Sequence, residues 1–92
     1  MKKILFIEDE SALQRAVAAV LGGEGFSVVS AVSGTEGLEL ARKELPDLIL
    51  LDLILPEKDG FAVLEELKKD PATSQIPVII MSNLEGTEDV QK

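Results

Sequence analysis

The sequence predicts one small α/β domain with an open parallel sheet. Short apolar runs at residues 4–7, 48–51 and 78–81, and a run of small and β-branched residues at 26–32, are too short for helices, which indicates strands. Stretches with helical periodicity separate these runs. Strands that alternate with helices are typical of a parallel sheet with right-handed crossovers. The run at 48–51 has no polar residue, which favours a strand buried on both faces.

Composition limits the chemistry available to the chain. Its 92 residues carry a net charge of −8 at pH 7, which disfavours direct binding to nucleic acid or to an anionic membrane surface. The absence of cysteine excludes a disulfide framework and a thiolate metal site. No apolar run approaches the roughly 18 residues of a membrane span, and the apolar start is too short for a signal peptide. We therefore expect a cytoplasmic protein, for which a divalent cation is a natural partner.

The first helix is predicted to begin at Ser11, with Gln14 three residues later as the second half of a capping box. Its inner face is predicted from apolar residues at helical spacing, which are Leu13, Ala16, Val17, Val20 and Leu21. A group of glycines is expected to end this helix, because glycine readily adopts the left-handed conformation common at such ends. These are Gly22, Gly23 and Gly25.

The later helices are predicted in the same way. Ser33 and Glu36 form a second capping box, and Pro46 ends the second helix. The third helix is expected to end at Asp70, and Thr87 is a candidate cap for a fourth. The apolar residues predicted to face inward are Leu38, Ala41 and Leu45 in the second helix, and Phe61, Leu64 and Leu67 in the third.

Polar side chains follow three of the predicted strands. Glu8 and Asp9 come directly after the first strand, Asp52 ends the third, and Ser82 ends the fourth. Parallel strands all end at the same edge, where open α/β sheets bind ligands, so these side chains are expected to share one crevice. Each also has an ordinary explanation: a turn cap before Pro56 for Asp52, favourable charge at a helix N-terminus for the acidic pair, and a strand-end turn for Ser82.

Such a crevice would suit a metal and a phosphoryl group. Clustered carboxylates repel one another unless a cation neutralises them. Since the chain has no histidine or cysteine, an all-oxygen site for Mg²⁺ or Mn²⁺ is expected. An aspartate beside such an ion can act as a nucleophile toward phosphorus and form an aspartyl phosphate. Ser82 could then donate a hydrogen bond to a phosphoryl oxygen.

Together these segments resemble the receiver domain of response regulators in two-component signalling. The resemblance is carried by residues 4–10 (ILFIEDE), 47–60 (DLILLDLILPEKDG) and 76–82 (IPVIIMS), and it covers essentially the whole chain. The pattern D-x-x-x-P-x-x-x-G from Asp52 to Gly60, joined to the acidic pair and Ser82, is specific. The resemblance implies a flavodoxin-like open parallel sheet with strand order 2-1-3-4.

The resemblance also implies roles for individual residues. Asp52 would accept a phosphoryl group from a histidine kinase or phosphotransfer protein. The chain would then be a signalling phosphoacceptor rather than an enzyme, with metal-dependent self-catalysed phosphotransfer and dephosphorylation. Mg²⁺ would be bound by Asp9 and Asp52, mainly through water by Glu8, and by the backbone carbonyl of Ile54. Ser82 would bind the phosphoryl group and act as the switch.

In one respect the chain differs from the family pattern. Receivers continue with a fifth strand and a fifth helix, so residues 1–92 are expected to form a C-terminally truncated receiver domain. In the family, that further segment supplies a lysine that pairs with the phosphoryl group and an aromatic residue that moves with Ser82. Without it, the fourth strand becomes an apolar sheet edge, and a homo-oligomer through that edge is expected.

The sequence allows three alternatives to a phosphoacceptor to be stated. The first is a phosphate-independent interaction module that keeps the receiver scaffold but has lost switching. A flavodoxin-like cofactor binder is disfavoured, because residues 8–10 put acids where a phosphate-binding loop is needed. A phosphohydrolase of the haloacid-dehalogenase kind needs a second acid two residues after the nucleophile, and Ile54 stands at that position.

Overall fold

The computed structural model describes residues 2–53, 55 and 59–81. Within these ranges the elements are β1 (Lys3–Ile7), α1 (Ser11–Gly23), β2 (Ser27–Ala31), α2 (Gly34–Glu44), β3 (Leu48–Asp52), α3 (Gly60–Lys69) and β4 (Val78–Met81). The predicted alternation of strands and helices is confirmed, whereas the candidate cap at Thr87 lies outside the described residues. None of the helices in the described residues is both long and apolar enough to cross a bilayer.

The strands form one parallel sheet in the order β2-β1-β3-β4, which confirms the flavodoxin-like order. The chain moves to one side of β1 to form β2, and to the other side to form β3 and β4. Right-handed crossovers therefore put α1 on one face of the sheet and α2 and α3 on the other.

The main core lies between the sheet and the layer formed by α2 and α3. Gly37 of α2 lies so close to Ile7 that a Cβ there would be 2.5 Å from the Ile7 side chain. The core cluster consists of apolar side chains from the sheet and from these two helices: Leu5, Ile7, Ala31, Leu38, Ala41, Ile49, Leu51, Val63 and Leu67. Aliphatic packing on this face thus holds β1 and β3 in register.

The expectation that β3 is buried on both faces is wrong, and the apolar strand β4 is also partly exposed. Ile49 and Leu51 of β3 are fully buried, whereas the alternate residue Leu50 is half-buried. On β4, Ile79 is 50% exposed and Ile80 is 38% exposed. The physical reason is incomplete cover: in the described part of the chain, α1 is the one helix on its face of the sheet, and it packs near β2.

The start of α1 also differs from the prediction. Its N-cap is Glu10, which makes no side-chain capping bond, and Ser11 is already helical. Gln14 is buried and turned toward the sheet, so the capping box of Ser11 and Gln14 does not form. Ala16 and Val20, predicted on the inner face, are exposed. The other members of that predicted face are half-buried: Leu13, Val17 and Leu21.

The predicted cap at Ser33 is confirmed, although Glu36 reaches back to Val32 rather than to Ser33 itself. Ser33 Oγ accepts a hydrogen bond from the Glu36 N–H at 3.2 Å, and Glu36 Oε1 accepts one from the Val32 N–H at 2.8 Å. Leu38 and Ala41 are buried as predicted. The N–H groups of Val32 and Glu36 are therefore satisfied by side chains, which stabilises the start of α2.

Two predicted core residues of α2 and α3 face solvent instead. Leu45 is exposed, because it forms the C-cap of α2 in the left-handed conformation, with φ of 45°. Phe61 is 67% exposed in the first turn of α3. The inner side of α3 is taken by Val63 and Leu67, which are one helical turn apart and fully buried. The predicted end of α3 at Asp70 is confirmed.

Candidate metal and phosphoacceptor site

Three carboxylates meet at the carboxyl edge of the sheet. Glu8 and Asp9 follow β1 directly, and Asp52 is the last residue of β3. The two strands are parallel neighbours with Ile7 opposite Leu51, so the next position on each strand brings Glu8 beside Asp52. Oxygens of Glu8, Asp9 and Asp52 all lie within 4.8 Å of one another. Acids from distant parts of the sequence therefore share one site.

Glu8 is the buried member of this cluster, with 4% of its surface exposed. Burial raises the pKa of its carboxyl from 4.5 to about 7. Burial is the largest of several causes of this value: the backbone N–H of Glu10, 3.0 Å from Glu8 Oε2, lowers the pKa, whereas the charge of Asp52 and hydrogen bonds with Asp52 and Asp9 contribute to the rise. A carboxyl held in this way is partly protonated near neutral pH and ionises fully when a positive charge comes close.

The backbone of the acidic pair is held by β2 and α1. The Glu8 N–H donates to the Ala31 carbonyl oxygen at 2.9 Å. Nε2 of Gln14 donates to the carbonyl oxygen of Glu8 at 2.6 Å and to that of Ala31 at 2.7 Å. In place of the predicted cap, Gln14 bridges β1 and β2 at the edge of the sheet that carries the acids.

On the other side of the cluster, α3 begins against the backbone that follows Asp52. The Gly60 N–H donates to the Leu53 carbonyl oxygen at 2.9 Å. A Cβ at position 60 would lie 2.5 Å from Leu53 Cα and 2.6 Å from the Asp52 carbonyl oxygen. Both atoms belong to the main chain at the end of β3, so only glycine fits here without a backbone shift. Asp59 caps the helix by accepting a bond from the Ala62 N–H at 2.9 Å.

The structure brings together three of the predicted site residues. Glu8, Asp9 and Asp52 form the cluster, and their individual roles as metal ligands and phosphoacceptor stay predictions. The predicted carbonyl ligand Ile54 and the predicted switch residue Ser82 lie outside the described residues.

Gln14 and Gly60 support the backbone of the acidic cluster, and the sequence did not predict this role for either residue. The spacing of Gln14 from Ser11 favours a cap, but Gln14 also lies between Leu13 and Val17 on the inner side of α1. A polar residue at such a position is the signal that could have identified it. Gly60 closes the pattern that starts at Asp52, but spacing alone does not show which backbone atoms a glycine must touch.

The donor set of the cluster fits a hard divalent cation. Each residue offers carboxylate oxygens, the ligands that Mg²⁺ and Mn²⁺ prefer. Two oxygens on opposite sides of an octahedral Mg²⁺ are about 4.2 Å apart, and the oxygens here lie within 4.8 Å of one another. The raised pKa of Glu8 points the same way, because a cation would relieve the repulsion that causes part of the rise.

Comparison with known proteins points to one family. The family model described as the response regulator receiver domain matches residues 4–92. Response regulator PleD of Caulobacter vibrioides is 41% identical over 87 residues, which cover 95% of this chain and 19% of PleD. The chain therefore spans about a fifth of the length of that relative.

Solved structures agree with the family match. The N-terminal domain of a response regulator receiver protein from Methanoculleus marisnigri JR1 is 33% identical, with a TM-score of 0.85 over 96% of this chain and 76% of that one. The receiver domain of the sensor histidine kinase PA1611 from Pseudomonas aeruginosa PAO1 is 28% identical, with a TM-score of 0.83 over 86% of this chain and 65% of that one. That structure is described with a magnesium ion coordinated in the active site cleft.

Proposed function

Because the chain belongs to the response regulator receiver domain family, we propose that Asp52 is its phosphoacceptor. The donor would be the phosphohistidine of a histidine kinase or of a phosphotransfer protein in the cytoplasm. The observation that carries the proposal is the meeting of Glu8, Asp9 and Asp52 within 4.8 Å at the carboxyl edge of the sheet. Ligands of open α/β sheets bind at this edge. The protein acts on its own carboxylate and is a signalling phosphoacceptor rather than an enzyme.

Phosphorylation of Asp52 would be a displacement at phosphorus. One of its carboxylate oxygens attacks the phosphorus atom of phosphohistidine, the P–N bond breaks, and the imidazole leaves with the bonding electrons. Bound Mg²⁺ would neutralise the charge of the cluster and of the phosphoryl oxygens. Asp9 and Asp52 would hold the ion directly, Glu8 mainly through water, and the carbonyl of Ile54 would complete the protein ligands. The Ser82 hydroxyl would donate to a phosphoryl oxygen and signal the phosphorylated state.

Two observations support a metal in this mechanism. Burial and, to a smaller extent, the charge of Asp52 raise the pKa of Glu8 to about 7, and a cation between the carboxylates would relieve this repulsion. The related PA1611 receiver is described with magnesium in its active site cleft. Mn²⁺ is an equivalent choice for the same oxygen ligands.

Labelling with acetyl phosphate tests the proposal. In the presence of Mg²⁺, the wild type should gain one phosphoryl group by mass spectrometry, and removal of the metal with EDTA should abolish the gain. Asp52→Asn should stay unlabelled, because an amide is not a nucleophile toward phosphorus. The matched control is Asp47→Asn, which lies before β3 at the opposite edge of the sheet and keeps an oxygen for the Lys3 N–H. It should react like the wild type.

The results separate the two main interpretations of the chain. Labelling of Asp52→Asn at the wild-type level would contradict the assignment of Asp52. Binding of Mg²⁺ with no labelling of the wild type would favour the alternative, a phosphate-independent interaction module on a receiver scaffold.

We also propose that the chain self-associates through β4. Within the described residues this strand is the last in the sheet order and pairs with β3 alone. Ile79 and Ile80 point to opposite faces and are 50% and 38% exposed. A second copy presents the same edge and the same side chains, so pairing would bury both.

A further inference from the structure

We propose that Gln14 is a positioning residue for the metal site, whose side-chain amide holds the peptide group between Glu8 and Asp9 in the orientation that brings Asp9 to Asp52. This role rests on the proposed function, because it concerns how the acids are arranged for Mg²⁺. Gln14 itself contacts neither the ion nor the phosphoryl group.

The contacts of Gln14 use its full capacity as a donor. The side-chain amide has two N–H bonds, and Nε2 lies 2.6 Å from the Glu8 carbonyl oxygen and 2.7 Å from the Ala31 carbonyl oxygen. The two acceptors also establish that Nε2 of Gln14, and not Oε1, points toward the sheet. In the opposite orientation Oε1 would face two carbonyl oxygens and could not donate to them. The Ala31 oxygen accepts the Glu8 N–H as well, at 2.9 Å. Three hydrogen bonds therefore join the ends of β1 and β2.

This arrangement acts on Asp9 through the planarity of the peptide bond. The Glu8 carbonyl, the Asp9 nitrogen and the Asp9 Cα lie in one plane, so a fixed carbonyl oxygen fixes the direction in which the chain leaves β1. Asp9 is exposed and lies in the bend after the strand. Without the Gln14 amide, the peptide group between Glu8 and Asp9 would no longer be tied to the end of β2. The Asp9 carboxylate would then be held less closely to Asp52.

A purely structural role for Gln14 makes a different prediction. Buried carbonyl groups need partners, so any loss of the amide should lower the stability of the fold. If that were the whole effect, a variant that is still folded would bind Mg²⁺ normally. Since the amide is uncharged, its removal leaves the net charge of the site unchanged, and a change in affinity reports on geometry.

The first experiment compares two folded variants of α1 by Mg²⁺ titration. Gln14→Met keeps the length of the side chain and removes both donors. Val17→Ala is the control, because it removes packing from a half-buried residue one turn along the same helix and leaves the bridge intact. We expect the Kd for Mg²⁺ to rise about ten-fold in Gln14→Met, as for the removal of other groups that orient metal ligands, and to be unchanged in Val17→Ala.

The second experiment uses the wild type alone and decides the matter if Gln14→Met does not fold. In a Mg²⁺ titration followed by ¹⁵N NMR, the side-chain amide of Gln14 should shift together with the backbone amide of Asp9, with the same Kd. The side-chain amide of Gln75, which is exposed in the turn before β4, is the internal control and should not move.

The results distinguish this role from the proposed function. Wild-type binding of Mg²⁺ with equal affinity in Gln14→Met would overturn the positioning role and leave the proposed function standing. A Gln14 amide that stays still while Asp9 shifts would also overturn it. Failure of the wild type to bind Mg²⁺ at all would overturn the proposed function, and the role of Gln14 with it.

Discussion

At Glu8, burial and two neighbouring carboxyl groups act against ionisation, and the pKa rises from 4.5 to about 7. The folded protein therefore binds more protons than the unfolded protein between these two pH values. As far as Glu8 is concerned, the free energy of unfolding of the metal-free protein should be highest below pH 4.5. It should then fall as the pH rises toward 7 and stay level above it. The total effect is up to about 3 kcal/mol.

Urea unfolding in EDTA near pH 5 and near pH 8 measures this effect. Glu8→Gln cannot ionise at this position, so it should lose less stability than the wild type between the two conditions. Glu39→Gln changes an exposed glutamate of α2 and should follow the wild type. The same pH dependence in the wild type and in Glu8→Gln would show that folding does not raise the pKa of Glu8.

At Gly60, one added methyl group should disturb the end of β3. A Cβ there would lie 2.5 Å from Leu53 Cα and 2.6 Å from the Asp52 carbonyl oxygen, and neither atom can move without a shift of the main chain. We expect Gly60→Ala to lower the free energy of unfolding by about 1–3 kcal/mol. It should also weaken Mg²⁺ binding, because Asp52 moves with its own peptide group.

Gly22→Ala is the control for this substitution. Gly22 lies in the last turn of α1, and a Cβ there would meet nothing within 4 Å. Alanine should therefore be neutral or stabilise α1 by up to about 1 kcal/mol. Thermal unfolding of both variants measures the difference, and equal stability of the two would contradict the close contact at Gly60.

At the scale of the element, α1 and α2 begin with similar sequence patterns, but only the serine of the second pattern caps its helix. Ser33 accepts the Glu36 N–H, so Ser33→Ala should cost about 1 kcal/mol of the free energy of unfolding. Ser11 is already inside α1 and is no cap, so Ser11→Ala should change the stability little, or raise it by a few tenths of a kcal/mol. Chemical denaturation compares the two, and an equal loss in both would mean that Ser11 also caps its helix.

An ion pair between Arg42 and Asp70 joins the C-terminal ends of α2 and α3. Arg42 Nε donates to Asp70 Oδ2 at 2.8 Å, which links the last turn of α2 to the C-cap of α3. The N–H of Ala72 is the largest cause of a lowered pKa at Asp70, followed by the bond from Arg42. Asp70 thus ends α3, begins the next turn and contacts α2, which explains the sharp boundary before Pro71.

At the scale of the whole molecule, the proposed self-association should depend on salt. Each copy has a net charge of −8, so two copies repel one another at low ionic strength, and salt screens this repulsion. We expect sedimentation velocity at micromolar concentrations to show more oligomer as NaCl is added. A well-folded monomer at high micromolar concentration and high salt would contradict pairing through β4.

Two lysine variants locate the contact. Ile79→Lys puts a charge on the edge strand, a common device against edge pairing, and should give a monomer. Val20→Lys makes the same change of net charge at an exposed position of α1 and should associate like the wild type. Equal association of both variants would show that the contact between copies does not involve β4.

Local sequence signals were enough for most elements of this protein. Breaking residues such as Pro46 and Asp70 mark helix ends, and short aliphatic runs mark strands, because both depend on a few neighbouring residues. The rule that parallel strands end at one edge then brings Glu8, Asp9 and Asp52 together. The strand order came from the resemblance to receiver domains, since periodicity alone does not order strands.

The sequence by itself therefore determined the alternation of strands and helices and the acids at the strand ends. Only the tertiary structure decided which apolar residues are covered, and it exposed Val20, Leu45 and Phe61 while burying Gln14. A helical pattern defines a face, but its burial depends on the elements packed against it. The side chain of Gln14 donates to two buried carbonyl oxygens, at the ends of β1 and β2. These two hydrogen bonds hold Gln14 facing inward, and no count of residues from Ser11 could have shown it.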